Sequence, residues 1–213
     1  GGAAHILMLH SHSGTHMDSL CHLWVEHQLY NGFDAREHVT SFGATRNSID
    51  NVPAIVGRGI LLDIAGWKGV RHLSLGEPIS ASDLDHCATG QNVTIKPGDI
   101  VLVNTGWMNV FGQDRALFDS GEPGLDMSTI KWLHKHDVSA IGADNHGIEV
   151  MASIPPEGLP LHFAAIRDLG LYLIENLMLQ PLADEKQYEF LFVAAPLQLT
   201  NAVGSPINPL AIF

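Results

Sequence analysis

The 213 residues carry 46% hydrophobic side chains and 11 basic against 23 acidic groups, a formal charge of −12. A chain of that size supports one well-buried domain, expected over 1–213, and its negative balance removes the electrostatic basis for a nucleic-acid partner. No apolar run approaches the roughly 18 residues of a membrane span and no basic-then-apolar leader opens the sequence, so no membrane partner is expected.

Residues 5–10, His-Ile-Leu-Met-Leu-His, are a short apolar run that predicts a buried strand. Leu20, Leu23 and Trp24 fall at helical spacing, with Asn31-Gly32 as a stop. Residues 60–64 predict a buried strand bracketed by Gly57, Gly59 and Gly66. Ser82 predicts the cap of a helix through Cys87 that ends near Gly90. Lys96-Pro-Gly-Asp99 is a turn that feeds a strand over 100–103. Ser128 predicts the cap of a helix through His136, and 138–142 read as a strand. A helix over 160–168 closed by Gly170, a strand over 171–174 and a last strand over 189–194 complete the series. The fold class is mixed α/β, with a strand-rich core and three or four flanking helices. No linker, low-complexity tract or internal repeat divides it, and two cysteines, Cys21 and Cys87, argue against a disulfide framework and for a cytoplasmic location.

Five of the thirteen histidines fall in the first 22 residues. His12-Ser-Gly-Thr-His16-Met-Asp18-Ser-Leu-Cys-His22 holds three imidazoles and a carboxylate, the side chains that bind Zn²⁺, Mn²⁺ or Fe²⁺. In an extended strand His12, His16 and Asp18 share one face, and Gly14 omits a side chain where a metal or substrate would approach. In a helix starting at Asp18, His22 lies one turn on, above the carboxylate. A catalytic metal takes three protein ligands and keeps a position for water, so His12, His16 and Asp18 suffice as ligands and His22 is left as general acid or base. His162 at a helix start and Glu175 at a strand end could meet across Gly170, either at a metal or as an ordinary salt bridge. Asp144-Asn-His146-Gly-Ile-Glu149 follows a strand and is a candidate to line the same pocket, His146 foremost, or a polar loop. Trp24, Trp67 and Trp107 are core residues or walls for an aromatic substrate, and Thr105-Gly-Trp107 reads as a turn at the pocket edge. His134 and His136 suit a helix end at the surface. Cys21 beside His22 invites a thiol nucleophile, but sequence neighbours point apart, so a buried thiol is the expectation.

The segment 12–22 resembles the HxGTHxDxPxH signature of the metal-dependent cyclase family, which includes bacterial kynurenine formamidase and isatin hydrolase. The similarity continues through 96–107, His162 to Glu175-Asn-Leu, and 195–206. The resemblance implies a swivelling β/β/α fold, a homodimer or homotetramer, and one or two ions of Zn²⁺ or Mn²⁺ per subunit. It assigns His12, His16 and Asp18 to a first metal, and Asp18, Glu175 and His162 to a second. His22 becomes the catalytic acid/base. Apart from the resemblance, Trp24, Trp67 and His146 are the expected substrate contacts. Leu20 stands where the signature has proline, which implies a branch distinct from orthodox kynurenine formamidase. Relatives carry a further segment before the motif strand, which this chain is expected to lack. The implied activity is hydrolysis of an amide C–N bond other than a peptide bond, in a formamide or lactam, by metal-activated water. The alternatives are a non-catalytic metal- or ligand-binding protein that retains the fold, and a cysteine-dependent hydrolase.

Overall fold

The computed structural model describes residues 1–154 and 158–213. Along the chain the strands are β1 (His16–Asp18), β2 (Val39–Thr40), β3 (Gly43–Ala44), β4 (Ile55–Asp63), β5 (Pro78–Ile79), β6 (Ile100–Asn104), β7 (Gly124–Leu125), β8 (Ala140–Ala143), β9 (Tyr172–Glu175), β10 (Glu189–Ala194), β11 (Gly204–Pro206) and β12 (Leu210–Ile212). Eight of them form one mixed sheet in the order β11-β1-β9-β8-β6-β4-β10-β12. At its centre β4, β6, β8 and β9 run parallel, and antiparallel strands flank both sides.

The central strands are apolar on both faces because both faces are covered. Ile60, Leu62, Val101, Val103, Ile141 and Leu173 point into one core. There they meet the helices Ala81–Gly90, Ser128–Lys135 and Pro160–Phe163, the last continued by a π-helical stretch Ala164–Leu169. Leu61, Ile100, Leu102, Ala140 and Ile174 alternate to the other face, under Met17, Ile49, Leu177, Phe190 and Phe192. Each such side chain taken from water contributes about 1.5–3 kcal/mol. Helices therefore cover one face, and loops and antiparallel strands cover the other.

Local signals explain the element ends. The first long helix starts from Ser80, two residues before the expected cap, because Ser80 and Asp83 close a reciprocal capping box. Ser128 is the first residue of its helix, and the Asp126 carboxylate accepts from its N–H. Gly170 closes the 160–169 helix in the left-handed region, at φ 68. Gly57 and Gly59 lie inside β4 rather than bracketing it.

Two expectations fail. Residues 5–10 form no strand, and Ile6, Leu7 and Met8 are almost fully exposed. No described strand bonds to that run, and apolar content without a pairing partner does not make a strand. The helix expected from Leu20 is a series of turns, since Glu26 and His27 take positive φ that a helix cannot hold. Leu29 instead packs with Cys21, Ala35 and Ala44 in a small separate cluster. Among the described residues no helix is long and apolar enough to cross a membrane.

In open α/β sheets the crevice beyond the carboxyl ends of parallel strands is the usual ligand position. Here β9 ends at Glu175 and β8 runs out into 144–149. Antiparallel pairing sets His16 of β1 directly opposite Glu175.

Candidate metal centre

Because His16 and Asp18 are two residues apart on β1, they share a face, while Met17 points into the opposite core. Both are buried. His16 Nε2 lies 2.9 Å from Glu175 Oε2 and 3.7 Å from Asp18 Oδ1. His12 sits in the turn before β1, and its Nε2 comes within 3.2 Å of Asp18 Oδ1. After β1 the chain turns through the His22 N–H to Ser19 carbonyl bond, which returns His22 Nε2 to 3.9 Å from Asp18 Oδ2. The i to i+4 reach thus comes from a turn, not from a helix. From the other side His162 Nε2 meets Glu175 Oε1 at 3.0 Å, and its Nδ1 meets Glu149 Oε1 at 2.5 Å. All of these groups except Glu149 line a cavity of about 300 Å³, walled also by His146, Met151 and Leu159.

Second partners aim the rings. A carbonyl can only accept, so the His16 Nδ1–H donates to Gly14 O at 2.9 Å and Nε2 is the nitrogen turned to Glu175. Gly14 adopts φ +64 and a Cβ there would touch nothing within 4 Å, so the turn needs the glycine, and approach room does not. Ser11 Oγ bonds His12 Nδ1 at 3.0 Å, and Glu149 takes the Nδ1–H of His162. Three imidazoles therefore present Nε2 inward.

Buried polar atoms nearly always find a partner. Among the described residues, His12 Nε2 and Asp18 Oδ1 are buried without a hydrogen bond, although they face each other. Two triplets bring their ligand atoms within 4.8 Å of one another: His12, Asp18 and His22, and His16, Asp18 and Glu175. An inward set of imidazole nitrogens and carboxylate oxygens with two unpartnered atoms fits a divalent cation.

The electrostatics follow from burial and pairing. Burial alone would lower His162, but Glu149 and Glu175 outweigh it and raise the imidazole above its ordinary range. Glu175 is held down by His16 and His162 against the effect of burial. His16 is raised by Glu175 despite its own burial, and burial lowers His22.

The family profile described as putative cyclase matches residues 4–150. A crystal structure described as a novel cyclase superposes with a TM-score of 0.88 and 32% identity, covering 97% of this chain and 71% of that one. The chain belongs to the cyclase family. Two more distant structures show the same fold. One is an isatin hydrolase bound to the product analogue thioisatinate, with TM-score 0.69 and 20% identity over 96% of this chain and 72% of that one. The other is a potential metal-dependent hydrolase with cyclase activity, with TM-score 0.63 and 24% identity over 96% and 80%. No curated protein matches the chain.

In this chain the residues expected at the site divide. His12, His16, Asp18, His22, His162, Glu175 and His146 all line the one cavity. Trp24 and Trp67 do not. Trp24 follows the turns that replace the expected helix, so helical spacing does not carry it there. Trp67 follows β4, three strands from β9 and so roughly 14 Å along the sheet, and its ring stacks on His86. Trp107 is fully buried against Phe118. Thr105 is structural, giving its N–H and hydroxyl to buried Asp144, whose carboxyl burial pushes up to about 6. His134 is exposed as expected, whereas His136 is half-buried against Trp132. Cys21 is a buried free thiol bonded to Ser19 Oγ, raised by burial, and burial pushes Cys87 up to about 12.

Two carboxylates were not singled out from sequence. Glu149, noted only as an end of the 144–149 loop, orients His162. Glu122, fully buried, accepts the N–H groups of His146 at 2.6 Å and Gly147 at 2.7 Å, and burial pushes it up to about 8. Between Gly121 and Pro123 a glutamate reads as surface turn, and no local pattern marks it otherwise.

Proposed function

We propose that this member of the cyclase family is a divalent-metal-dependent hydrolase that cleaves the C–N bond of a formamide or a cyclic amide such as a lactam, not a peptide bond. The supporting observation is the convergence of inward imidazoles on Asp18 and Glu175, with His12 Nε2 and Asp18 Oδ1 buried and unpartnered. His12, His16, Asp18, His162 and Glu175 would hold one or two ions, and their nitrogen and oxygen donors suit Zn²⁺ or Mn²⁺. When bound, such an ion polarises a carbonyl and lowers the pKa of water from about 15.7 towards about 7.

His22 supplies the proton transfers. Burial lowers its pKa, so at neutral pH it offers a lone pair at the edge of the cavity. It takes one proton from the attacking water and returns it to the departing nitrogen. The water oxygen bonds to the carbonyl carbon, the C–N bond breaks, and an acid and an amine result. The backbone N–H groups of His146 and Gly147 are already taken by Glu122, so they are not donors for the oxyanion. His146 and His10, with the apolar Met151, Ile154 and Leu159, are further lining groups that could contact a small, uncharged substrate.

The reading includes a homodimer or homotetramer. Leu191 pairs with Ile212, and Val56 and Leu210 flank Val193, on a sheet face where Val56, Leu191, Leu210 and Ile212 are exposed. A second copy would cover those apolar side chains, which lie beside the Arg58–Glu189 ion pair; light scattering of the purified protein measures it.

The deciding experiment is elemental analysis of protein purified without added metal. Chelation and reloading follow, assayed on formanilides, lactams and esters. Chelator-sensitive amide hydrolysis restored by Zn²⁺ or Mn²⁺ is expected. Hydrolysis that survives full chelation sinks the reading, and tight metal binding with no turnover of any amide leaves a binding protein instead.

A further inference from the structure

The geometry points to Glu122 as a positioning residue of this centre: it clamps the strained turn 145–149, so that Glu149 can orient His162. The inference rests on the metal-hydrolase reading above.

The first observation is the strain. Ile148 is fully buried and adopts φ 62, a left-handed conformation that a β-branched side chain strongly disfavours. Such a residue persists only where its surroundings over-determine it, and such residues gather at functional sites.

The surroundings are specific. The Glu122 carboxylate accepts two successive N–H groups, from His146 and Gly147. Asn145 Oδ1 accepts the Ile148 N–H at 2.9 Å, and Asn145 Nδ2 donates to Pro123 O at 2.6 Å. Backbone bonds join Leu125 N to Ile148 O and pair Glu122 with Met151 in both directions. A Cβ at Gly147 would lie 2.8 Å from Met151 Cε and 3.4 Å from both Glu122 Oε1 and His162 Cε1. The turn thus lies between the Glu122 carboxylate and the His162 ring.

Glu149, the residue after the strained one, is what the turn delivers. Its Oε2 accepts the Leu161 N–H at 3.1 Å, and its Oε1 accepts the His162 N–H at 3.2 Å and the Nδ1–H. Those bonds fix the ring with Nε2 towards Glu175. Relaxing Ile148 to negative φ redirects the chain at the next residue and withdraws Glu149 from His162. Outer groups that orient a metal-binding imidazole are worth about 10–100-fold in metal affinity.

The test measures Zn²⁺ affinity by competition with a chromophoric chelator. Glu122→Gln turns an NH₂ towards one of the two N–H donors, and is expected to weaken Zn²⁺ binding about 10–100-fold. Adding Ile148→Gly to that variant is expected to recover affinity, because glycine holds φ 62 without a clamp. A merely structural Glu122 predicts the reverse, since Ile148→Gly also empties part of the core. Glu122→Asp, which withdraws the carboxylate by one methylene, shows the same order at a smaller loss and serves if Glu122→Gln does not fold. Equal affinity in wild type and the Glu122 variants, or no recovery with Ile148→Gly, overturns the inference alone. Wild-type protein that takes up neither Zn²⁺ nor Mn²⁺ overturns the metal reading and this inference with it.

Discussion

Around Glu175 the imidazoles of His16 and His162 reach one carboxylate oxygen each, at 2.9 and 3.0 Å, and all three side chains are at most 6% exposed. Around Asp18 the contacts are longer, at 3.2, 3.7 and 3.9 Å, two of the buried atoms lack hydrogen bonds, and the His22 side chain is 28% exposed. The inner half is a completed network of paired charges. The outer half is looser, and only its His22 edge opens to the solvent. Completed networks fix geometry, whereas unpartnered atoms near water are where a ligand gains most by binding.

The sharpest way to break that contrast is Asp18→Ala, since Asp18 belongs to both candidate triplets. Metal content and amide hydrolysis should both fall to background, read by elemental analysis and kcat. His22→Ala tests the outer half alone: metal stays, and kcat drops about 10²–10⁴-fold, the usual worth of a general acid/base. Metal loss matching that of Asp18→Ala would make His22 a ligand instead. For the inner half, Glu149→Gln should keep the fold and weaken Zn²⁺ binding about 10–100-fold, measured by chelator competition.

A pH series separates the halves further. In the metal-free protein Glu149 and Glu175 raise His162 to about 10, from 6.5 when unfolded. A raised imidazole contributes stability fully below about 6.5, and that contribution is lost as pH climbs through about 10. Metal uptake must expel the same proton, so affinity should rise over that window while metal-free stability declines. Melting temperatures with and without chelator would show the opposed slopes; parallel slopes would count against His162 as a ligand. The smallest expected effect is from thiol alkylation. With Cys21 raised and Cys87 near 12, iodoacetamide at pH 8 should leave both thiols and the activity intact, and labelling with inactivation would revive a cysteine mechanism.

What the sequence displays and what it hides have different physical origins. The strands at 60–63, 100–104, 140–143 and 172–175 are legible because burial on both faces makes them continuous apolar runs. The 12–22 motif is legible because its chemistry is dense and its ligand spacing survives a wrong backbone guess: a turn brought His22 to Asp18 where a helix was one option. Residues 5–10 mislead because their apolar pattern says nothing about a pairing partner. The 20–29 stretch misleads because positive φ at Glu26 and His27 leaves no trace in hydrophobic spacing. Glu122 is invisible because its function is two bonds to backbone N–H groups 24 and 25 residues away. The separation of Trp67 from the cavity is hidden because sheet order, not sequence, sets it.

The three residues of β1 lie between β9 and β11, bonded to 174–175 on one side and 204–206 on the other. During synthesis His16 therefore emerges roughly 10–40 s before the strand that closes over it, at about 5–20 residues per second. Until 204–206 pair with β1, His16 and Asp18 lack the strand that walls one side of them, so an ion held there would be enclosed late in folding.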